Sequence, residues 1–259
     1  MIPALAPLFQ GPFGHYREVL VLADDPRPAL SGPELVAPEQ LEALLARFAP
    51  EQVGGDRRAR VSLWSKYYFL RLIPPVVAAS LVLGWRLPLD FQRIQVIVGN
   101  DGLPAAFKLP HAGERWPAPP GDPFERFAEL LDANLLPFIQ ALNGCAKVAP
   151  RVLWSNAGNY FEWILSSLAA LPLPEAMLAD GKRLLDSRLR PDGRANPLYQ
   201  PIRYVPREGA EDPLRQRRQC CIRYLLPGYA LCENCPHIDN PPPGYRGELA
   251  LASGLPQEP

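Results

Sequence analysis

Four of the five cysteines lie within sixteen residues near the end of the chain, in the segment RRQCCIRYLLPGYALCENCPHI (217–238). Cys220 and Cys221 are adjacent, and Cys232 and Cys235 follow after ten residues with C-x-x-C spacing. Thiolates are the preferred ligands of structural zinc and of iron–sulfur clusters. The clustering of a scarce residue therefore predicts a metal centre in this segment.

The spacing alone leaves the metal open. Zinc sites usually combine two C-x₂₋₄-C pairs, and only Cys232 and Cys235 fit that pattern. Neighbouring side chains on extended backbone point to opposite faces, so bringing Cys220 and Cys221 to one ion requires a sharp turn. A two-iron cluster spreads four thiolates over two metals and relaxes this demand, which favours a cluster over zinc. The C-x-x-C pair on a single iron is the simplest expectation for such a cluster.

The start of the chain does not resemble a secretion signal. It has no Lys or Arg before Arg17 and lacks a sustained apolar run. The longest uncharged apolar run, residues 72–85, is shorter than the about 20 residues of a membrane-spanning helix. We therefore expect a cytoplasmic protein without a transmembrane segment, while peripheral membrane association stays open. Cytosolic thiols are kept reduced, so the clustered cysteines are expected to be metal ligands or redox groups and not structural disulfides.

The overall composition is that of a soluble globular protein, with 47% hydrophobic and 21% charged residues. The formal net charge of zero gives no reason to expect nucleic acid as a partner. No G-x-G-x-x-G opens a βαβ unit and no P-loop is present, so a directly bound nicotinamide is not expected. The 33 prolines predict many turns and short, sharply ended helices.

Apolar periodicity predicts a mostly α (α+β) fold, with a helical body, a small antiparallel β element and a short C-terminal cysteine segment. A short strand is expected within residues 15–23, and an antiparallel hairpin within residues 93–109. Pro74 and Pro75 should divide the apolar stretch into two helical pieces with a bend or break between them, and Ser155 or Asn156 should cap a later helix. The helical stretches are predicted at residues 31–49, 61–85, 122–143, 151–172 and 174–189.

The cysteine motif C-C-x10-C-x2-C resembles the C-terminal [2Fe–2S] signature of the FhuF family of ferric-siderophore reductases. Other segments resemble that family in the same order along the chain, so the resemblance covers roughly residues 60–236. They are SLWSKYYFLRLIPP (62–75), LLPFIQAL (135–142), LWSN (153–156), NPLY (196–199), and Arg217, Arg218, Tyr224 and Pro227 around the cysteines.

The resemblance implies that Cys220, Cys221, Cys232 and Cys235 ligate a [2Fe–2S] cluster. It implies a reductase that passes one electron to Fe³⁺ in a siderophore of the hydroxamate type and releases Fe²⁺ in the cytosol. A separate donor, such as a ferredoxin or a flavin reductase, would supply the electrons. The alternatives are a siderophore- or partner-binding protein with a structural zinc at the four cysteines, or an iron–sulfur electron carrier.

The resemblance also suggests a division of the chain. Residues 1–55 form an N-terminal region of uncertain role, and residues 56–200 form the helical reductase body with its small β element. Residues 201–238 form the cluster-binding segment. Residues 239–259 form a Pro-rich tail that is expected to be irregular.

Two further groups are candidates for the site. Trp64, Tyr67 and Trp154 lie in segments that match the family and are candidates for lining a siderophore pocket, although aromatic residues in helices are more often core. Six arginines lie between residues 201 and 223, and they are either a solvated face or a functional cluster. In the second case Arg217, Arg218 and Arg223 would stabilise the reduced cluster or dock an acidic electron donor.

Two other residues are weaker candidates. Cys145 has no partner at metal-ligand spacing and is expected to be a small buried hydrophobe. His237 follows the last cysteine by two residues. It either donates a hydrogen bond at the cluster or, more simply, is an exposed residue of the tail.

Overall fold

The computed structural model describes residues 1–207, 209, 211–243 and 245, and its fold is mostly helical with small β sheets, as predicted. The α-helices are α1 (Gly32–Leu35), α2 (Pro38–Phe48), α3 (Arg57–Leu83), α4 (Pro123–Arg126), α5 (Leu136–Ala146), α6 (Pro150–Ala169) and α7 (Glu175–Asp186). The strands are β1 (Leu20–Leu22), β2 (Leu30–Ser31), β3 (Trp85–Arg86), β4 (Gln95–Val98), β5 (Pro104–Leu109), β6 (Glu114–Arg115), β7 (Ile202–Val205) and β8 (Leu214–Arg217).

Helix α3 is the centre of the molecule. The Asp56 carboxylate accepts hydrogen bonds from the N–H groups of Arg58 and Ala59 at its start, and Gly84 ends it at φ +61°, a conformation that favours glycine. By length and composition α3 could cross a membrane, but 83% of its most apolar window is buried inside the protein. A helix that is apolar on most sides and covered by neighbouring elements is a core helix.

The prediction of two helical pieces with a break at Pro74 and Pro75 is wrong, because α3 continues through both residues; a bend there stays a prediction. A proline inside a helix provides no N–H for the carbonyl four residues before it. For Pro74 that carbonyl belongs to Leu70, and it accepts a hydrogen bond of 3.2 Å from the buried Tyr16 hydroxyl. The N-terminal region thus satisfies a carbonyl that the proline leaves free, and the helix stays in one piece.

The predicted single helix over residues 122–143 is instead α4, a π-helical stretch (Glu129–Leu135) and α5. Pro137 lacks the N–H that would bond to Ala133, and the Ala133 carbonyl accepts from the N–H of Phe91. The side chain of Asn134 is fully buried within this stretch and donates to the Leu89 carbonyl. These contacts support the wider helical turn at a point where an α-helix would lose a bond.

The predicted hairpin at residues 93–109 is confirmed as β4 and β5, which pair antiparallel with Val96 opposite Phe107. The short strand predicted within residues 15–23 is confirmed as β1, which pairs parallel with β5. The sheet has the order β1-β5-β4-β2 and is therefore mixed. A second hairpin, β7–β8, directly precedes the cysteines and was not predicted; Ile202 lies opposite Arg217 in its register.

The hydrogen bond from Tyr16 to the Leu70 carbonyl of α3 leads to a prediction about stability. Tyr16→Phe should lower the free energy of unfolding by about 1–2 kcal/mol, because it leaves the buried Leu70 carbonyl without a donor. In a Pro74→Ala background the new N–H can bond to that carbonyl, so the same Tyr16→Phe change should cost less. Urea unfolding of the four proteins measures both effects. Equal costs in the two backgrounds would contradict this account of the helix.

Candidate metal centre

The four cysteines of the C-terminal segment come together in a small buried cluster. Cys220, Cys221, Cys232 and Cys235 are all free and between 2% and 6% exposed. The sulfur atoms of Cys221 and Cys232 lie 3.2 Å apart. The thiol of Cys220 interacts with those of both Cys221 and Cys235. The sulfur contacts therefore run from Cys235 through Cys220 and Cys221 to Cys232.

A sharp turn allows the two adjacent cysteines to share one site. Ile222, the residue after them, has φ +59°, a conformation that is unusual for a β-branched side chain. Its N–H donates to the Cys220 sulfur at 3.2 Å. At the other end of the cluster the N–H of His237 donates to the Cys235 sulfur at 3.4 Å. Both sulfurs are therefore hydrogen-bonded by main chain, as cluster ligands commonly are.

The main chain around the cysteines is attached to helices α3 and α6. The Ser62 hydroxyl of α3 donates to the Cys221 carbonyl at 2.7 Å, and the Ser155 hydroxyl of α6 donates to the Gln219 carbonyl at 3.0 Å. Asn156 donates to the hydroxyl and carbonyl of Ser62. The prediction that Ser155 or Asn156 caps a helix is wrong, because α6 begins at Pro150 and both residues lie inside it. Their side chains bind the cysteine segment instead.

Two positively charged side chains are buried beside the cysteines. Lys66 of α3 is 2% exposed and donates to the Cys232 sulfur at 3.5 Å. Arg217, at the end of β8, is 1% exposed and donates to Asn156 at 2.5 Å and Ser155 at 3.2 Å. Its Nε atom has no hydrogen-bond partner among the described residues. A buried guanidinium with neutral partners requires nearby negative charge, which metal-bound thiolates supply.

The electrostatics of the site favour thiolate at two of the four sulfurs. The pKa of Cys221 is well below the ordinary thiol value, because Cys220 and Cys232 donate hydrogen bonds to it and Lys66 and Arg217 add positive charge. The pKa of Cys235 is lowered to about 7, chiefly by a hydrogen bond from Cys220. The pKa values of the two donors are raised in turn.

The three candidate arginines have different surroundings. Arg217 is buried and acts on the cysteines through its charge. Arg223 donates to the carbonyls of Ala230 and Leu231 and so braces the loop between the two cysteine pairs. Arg218 is exposed and donates to Gln200 at 2.7 Å. A single description, whether a solvated face or a functional cluster, therefore does not fit all three.

The aromatic candidates lie in the main hydrophobic core. Trp64 is fully buried, and its indole N–H donates to the Gly102 carbonyl at 2.9 Å. Tyr67 is 3% exposed and lies edge-on to Phe48, while Trp154 is 9% exposed. These are positions of core residues, and their role in a siderophore pocket stays a prediction.

The remaining candidates are separate from the sulfur ligands. Cys145 is partly buried at the end of α5, its carbonyl accepts a bond from Arg57, and burial raises the pKa of its thiol. The centroid of the His237 ring lies 6.0 Å from that of Tyr224 in an edge-on pair. Tyr224 packs against the four cysteines and is partly exposed.

A surface pocket lies far from the cysteines. It has a volume of about 350 Å³ and is lined by residues that include Arg86, Asp90 and Glu129. Arg86 follows the C-terminal end of α3, whereas Lys66 contacts the cysteines near the other end. At 1.5 Å per residue the 17 residues from Lys66 to Leu83 span about 26 Å. This pocket is therefore poorly placed for an electron acceptor of the cysteine site.

No sequence pattern predicted that Lys66, Ser62 and Asn156 bind or position the cysteine segment. The signal available was the presence of polar residues on otherwise apolar, buried helices, where each must have a polar partner. The sequence does not identify that partner, because the cysteines are about 160 residues away from Ser62 and Lys66.

The donor set fits a two-iron cluster. Four buried sulfurs form a row of contacts next to two buried cations, and main-chain N–H groups donate to two of them.

Comparison with known families agrees with this assignment. Residues 62–212 match the family model described as "Ferric iron reductase FhuF-like transporter", and residues 217–237 match the "FhuF 2Fe-2S C-terminal domain". The chain belongs to the FhuF family. Its C-terminal segment is a [2Fe–2S] domain, and the four cysteines that the structure brings together lie within the matched residues. The FhuF resemblance stated from the sequence is confirmed.

A curated relative agrees with the family assignment. The chain is 27% identical over 245 residues, or 90% of each chain, to a protein of Escherichia coli (strain K12) named "Ferric siderophore reductase". The match includes most of the N-terminal region, for which the sequence showed no resemblance.

The ligand assignment is tested by composition and colour. Protein purified without oxygen should contain about two irons and two sulfides per chain, with visible bands that bleach on reduction. Replacing any one of the four ligands by Ser should greatly reduce these bands, whereas the matched control Cys145→Ser should keep them. Stoichiometric zinc without iron, or loss of the bands in the control, would show that the assignment is wrong.

The contrast between two neighbouring arginines gives a second test. Arg217→Met should lower the reduction potential of the cluster, because a buried positive charge stabilises the more negative reduced state. Arg218→Met should change it little, because exposed charges are screened by salt over about 8–10 Å. Arg217→Lys serves as the control that keeps the charge. A redox titration that finds equal shifts at both positions would contradict the contrast in burial.

Proposed function

We propose that the protein transfers one electron to Fe³⁺ held in a siderophore of the hydroxamate type, and that Fe²⁺ is released in the cytoplasm. One electron from a donor converts one ferric chelate into one ferrous ion and the free siderophore. The observation that carries the proposal is the buried four-cysteine site with its cationic neighbours, in a chain that belongs to a ferric iron reductase family.

Reduction is sufficient for release of the iron. Hard oxygen ligands hold the more highly charged ferric ion better than the ferrous ion. The chelate therefore weakens when one electron arrives, and no acid–base pair or nucleophile is needed. When bound, the cluster supplies a site that accepts and gives up a single electron.

The residues of the chain have three tasks in this proposal. The cysteines hold the cluster, and the hydrogen bonds of Ser62 and Ser155 fix the segment that carries them. Lys66 and Arg217 provide positive charge on one side. On another side the partly exposed Tyr224 and His237 are next to Cys220 and Cys235, and we propose this side as the approach for the chelate or the donor.

We further propose that the electrons come from a separate protein, such as a ferredoxin or a flavin reductase. Among the described residues, β1 and β5 are the parallel strand pair, and their sheet contains antiparallel pairs as well. This is not the doubly wound parallel sheet on which nicotinamide cofactors bind. An external donor is the simpler source.

A single-turnover reaction tests the function. Reduced protein mixed without oxygen with a ferric hydroxamate should be reoxidised, and about one Fe²⁺ per cluster should appear in a ferrous chelator. The rate should reach a plateau with chelate concentration. The gallium complex of the same siderophore cannot be reduced, so it should inhibit competitively if the chelate binds at a specific site.

Several outcomes would count against the proposal. A rate that rises linearly and ignores the gallium complex indicates an unspecific electron leak. Ferric catecholates that react as well as ferric hydroxamates would contradict the hydroxamate preference. A cluster that stays reduced for hours beside several ferric hydroxamates would leave an electron carrier as the better description.

A further inference from the structure

Lys66 is a buried cation on the central helix of the fold, and no sequence motif singled it out. Its side chain is 2% exposed. Its ammonium group donates to the sulfur of Cys232 at 3.5 Å, across 166 residues of sequence. Its charge also acts on Cys221, whose sulfur lies 3.2 Å from that of Cys232. Lys66 therefore lies beside Cys221 and Cys232, at one end of the row of four sulfurs.

A positive charge at this place has a defined effect on redox chemistry. A four-thiolate [2Fe–2S] site carries about −2 when oxidised and about −3 when reduced, counting thiolates, sulfides and iron ions. A nearby cation stabilises the reduced form more than the oxidised form. Burial strengthens this difference, because charges interact more strongly away from water. An N–H group that donates to the ligand sulfur acts in the same direction.

The backbone gives Lys66 a fixed position. Ser62 lies one helical turn before it on the same face of α3 and donates to the Cys221 carbonyl at 2.7 Å. Residues four apart on a helix are neighbours, so α3 contacts the cysteine segment at two successive turns. The Ser62 contact holds the main chain of the segment, and the Lys66 contact reaches the sulfur of Cys232.

We propose that Lys66 is a positioning residue that raises the reduction potential of the cluster through the sulfur of Cys232, and that it thereby sets the direction of electron flow. It makes the cluster easier to reduce by the donor and lowers the driving force for giving the electron to the ferric chelate. The proposal depends on the [2Fe–2S] cofactor and not on the identity of the siderophore.

The first measurement is a redox titration followed by visible absorbance. Lys66→Met removes the charge at similar length and should lower the equilibrium constant for reduction about tenfold, which corresponds to about 59 mV for one electron. Lys66→Arg keeps the charge and should retain most of the potential. Lys182→Met is the matched control, because Lys182 is exposed and paired with Glu175; it should leave the potential unchanged.

The second measurement detects the contact itself in the unaltered protein. The chain has only four lysines, at positions 66, 108, 147 and 182, so labelling lysine side chains with ¹⁵N adds few signals. Pulsed electron paramagnetic resonance of the reduced protein should show a ¹⁵N nucleus coupled to the cluster. The coupling should disappear in Lys66→Arg and persist in Lys182→Met.

The rates of electron transfer distinguish an effect of the Lys66 charge from a merely structural role of this residue. Reduced Lys66→Met protein should pass its electron to a ferric hydroxamate faster than the unaltered protein, because the driving force has increased, while its reduction by a given donor should be slower. A general loss of structure would slow both steps.

Each result decides the proposal. An unchanged potential in Lys66→Met, or no ¹⁵N coupling in the unaltered protein, would overturn it. Equal falls in potential for Lys66→Met and Lys66→Arg would show that packing matters and charge does not. If Lys66→Met fails to assemble a cluster, Lys66→Gln takes its place in the titration, and the ¹⁵N measurement still tests the contact. If the protein fails to reduce ferric siderophores but Lys66→Met still lowers the reduction potential, the result would contradict the proposed function and not the role of Lys66.

Discussion

The burial of positive charge next to four thiol groups is the constraint on which the site depends. Arg217 and Lys66 are almost inaccessible to water. Burying one charge costs several kcal/mol unless an opposite charge and hydrogen bonds compensate for it. Metal-bound thiolates provide the opposite charge here. The same proximity favours the reduced, more negative state of a cluster, so one arrangement serves both stability and electron transfer.

This arrangement requires rigid helices behind the cysteine segment. That segment has little apolar core of its own: besides the cysteines, Tyr224 and Leu231 pack in its cluster. Its main chain is held instead by hydroxyl groups from the N-terminal parts of α3 and α6. The geometry of the cysteine site therefore depends on how the N-terminal parts of these two helices are placed.

The site has two unlike sides, and this asymmetry fits the proposed exchange of electrons with a donor and a ferric chelate. Lys66 lies beside Cys221 and Cys232, within the protein. Tyr224 and His237 lie near Cys220 and Cys235 and are partly exposed. Charge on the inner side can tune the potential with much less screening by salt than charge at the surface. The outer side is the one proposed above for the approach of the chelate or the donor.

The sequence by itself determined the helical class, the β4–β5 hairpin and the family, and it predicted the four cysteine ligands, because each is a local signal: spacing, periodicity or a short motif. It could not determine that α3 runs through two prolines, because the hydroxyl that satisfies Leu70 comes from a residue 54 positions away. It assigned Ser155 and Asn156 to a cap for the same reason, since their partners lie in distant segments. Lys66 appeared only as one charge in an apolar stretch. Tertiary structure decided its role, because the sulfur it contacts is 166 residues away and reaches it only when the cysteine segment folds back onto α3.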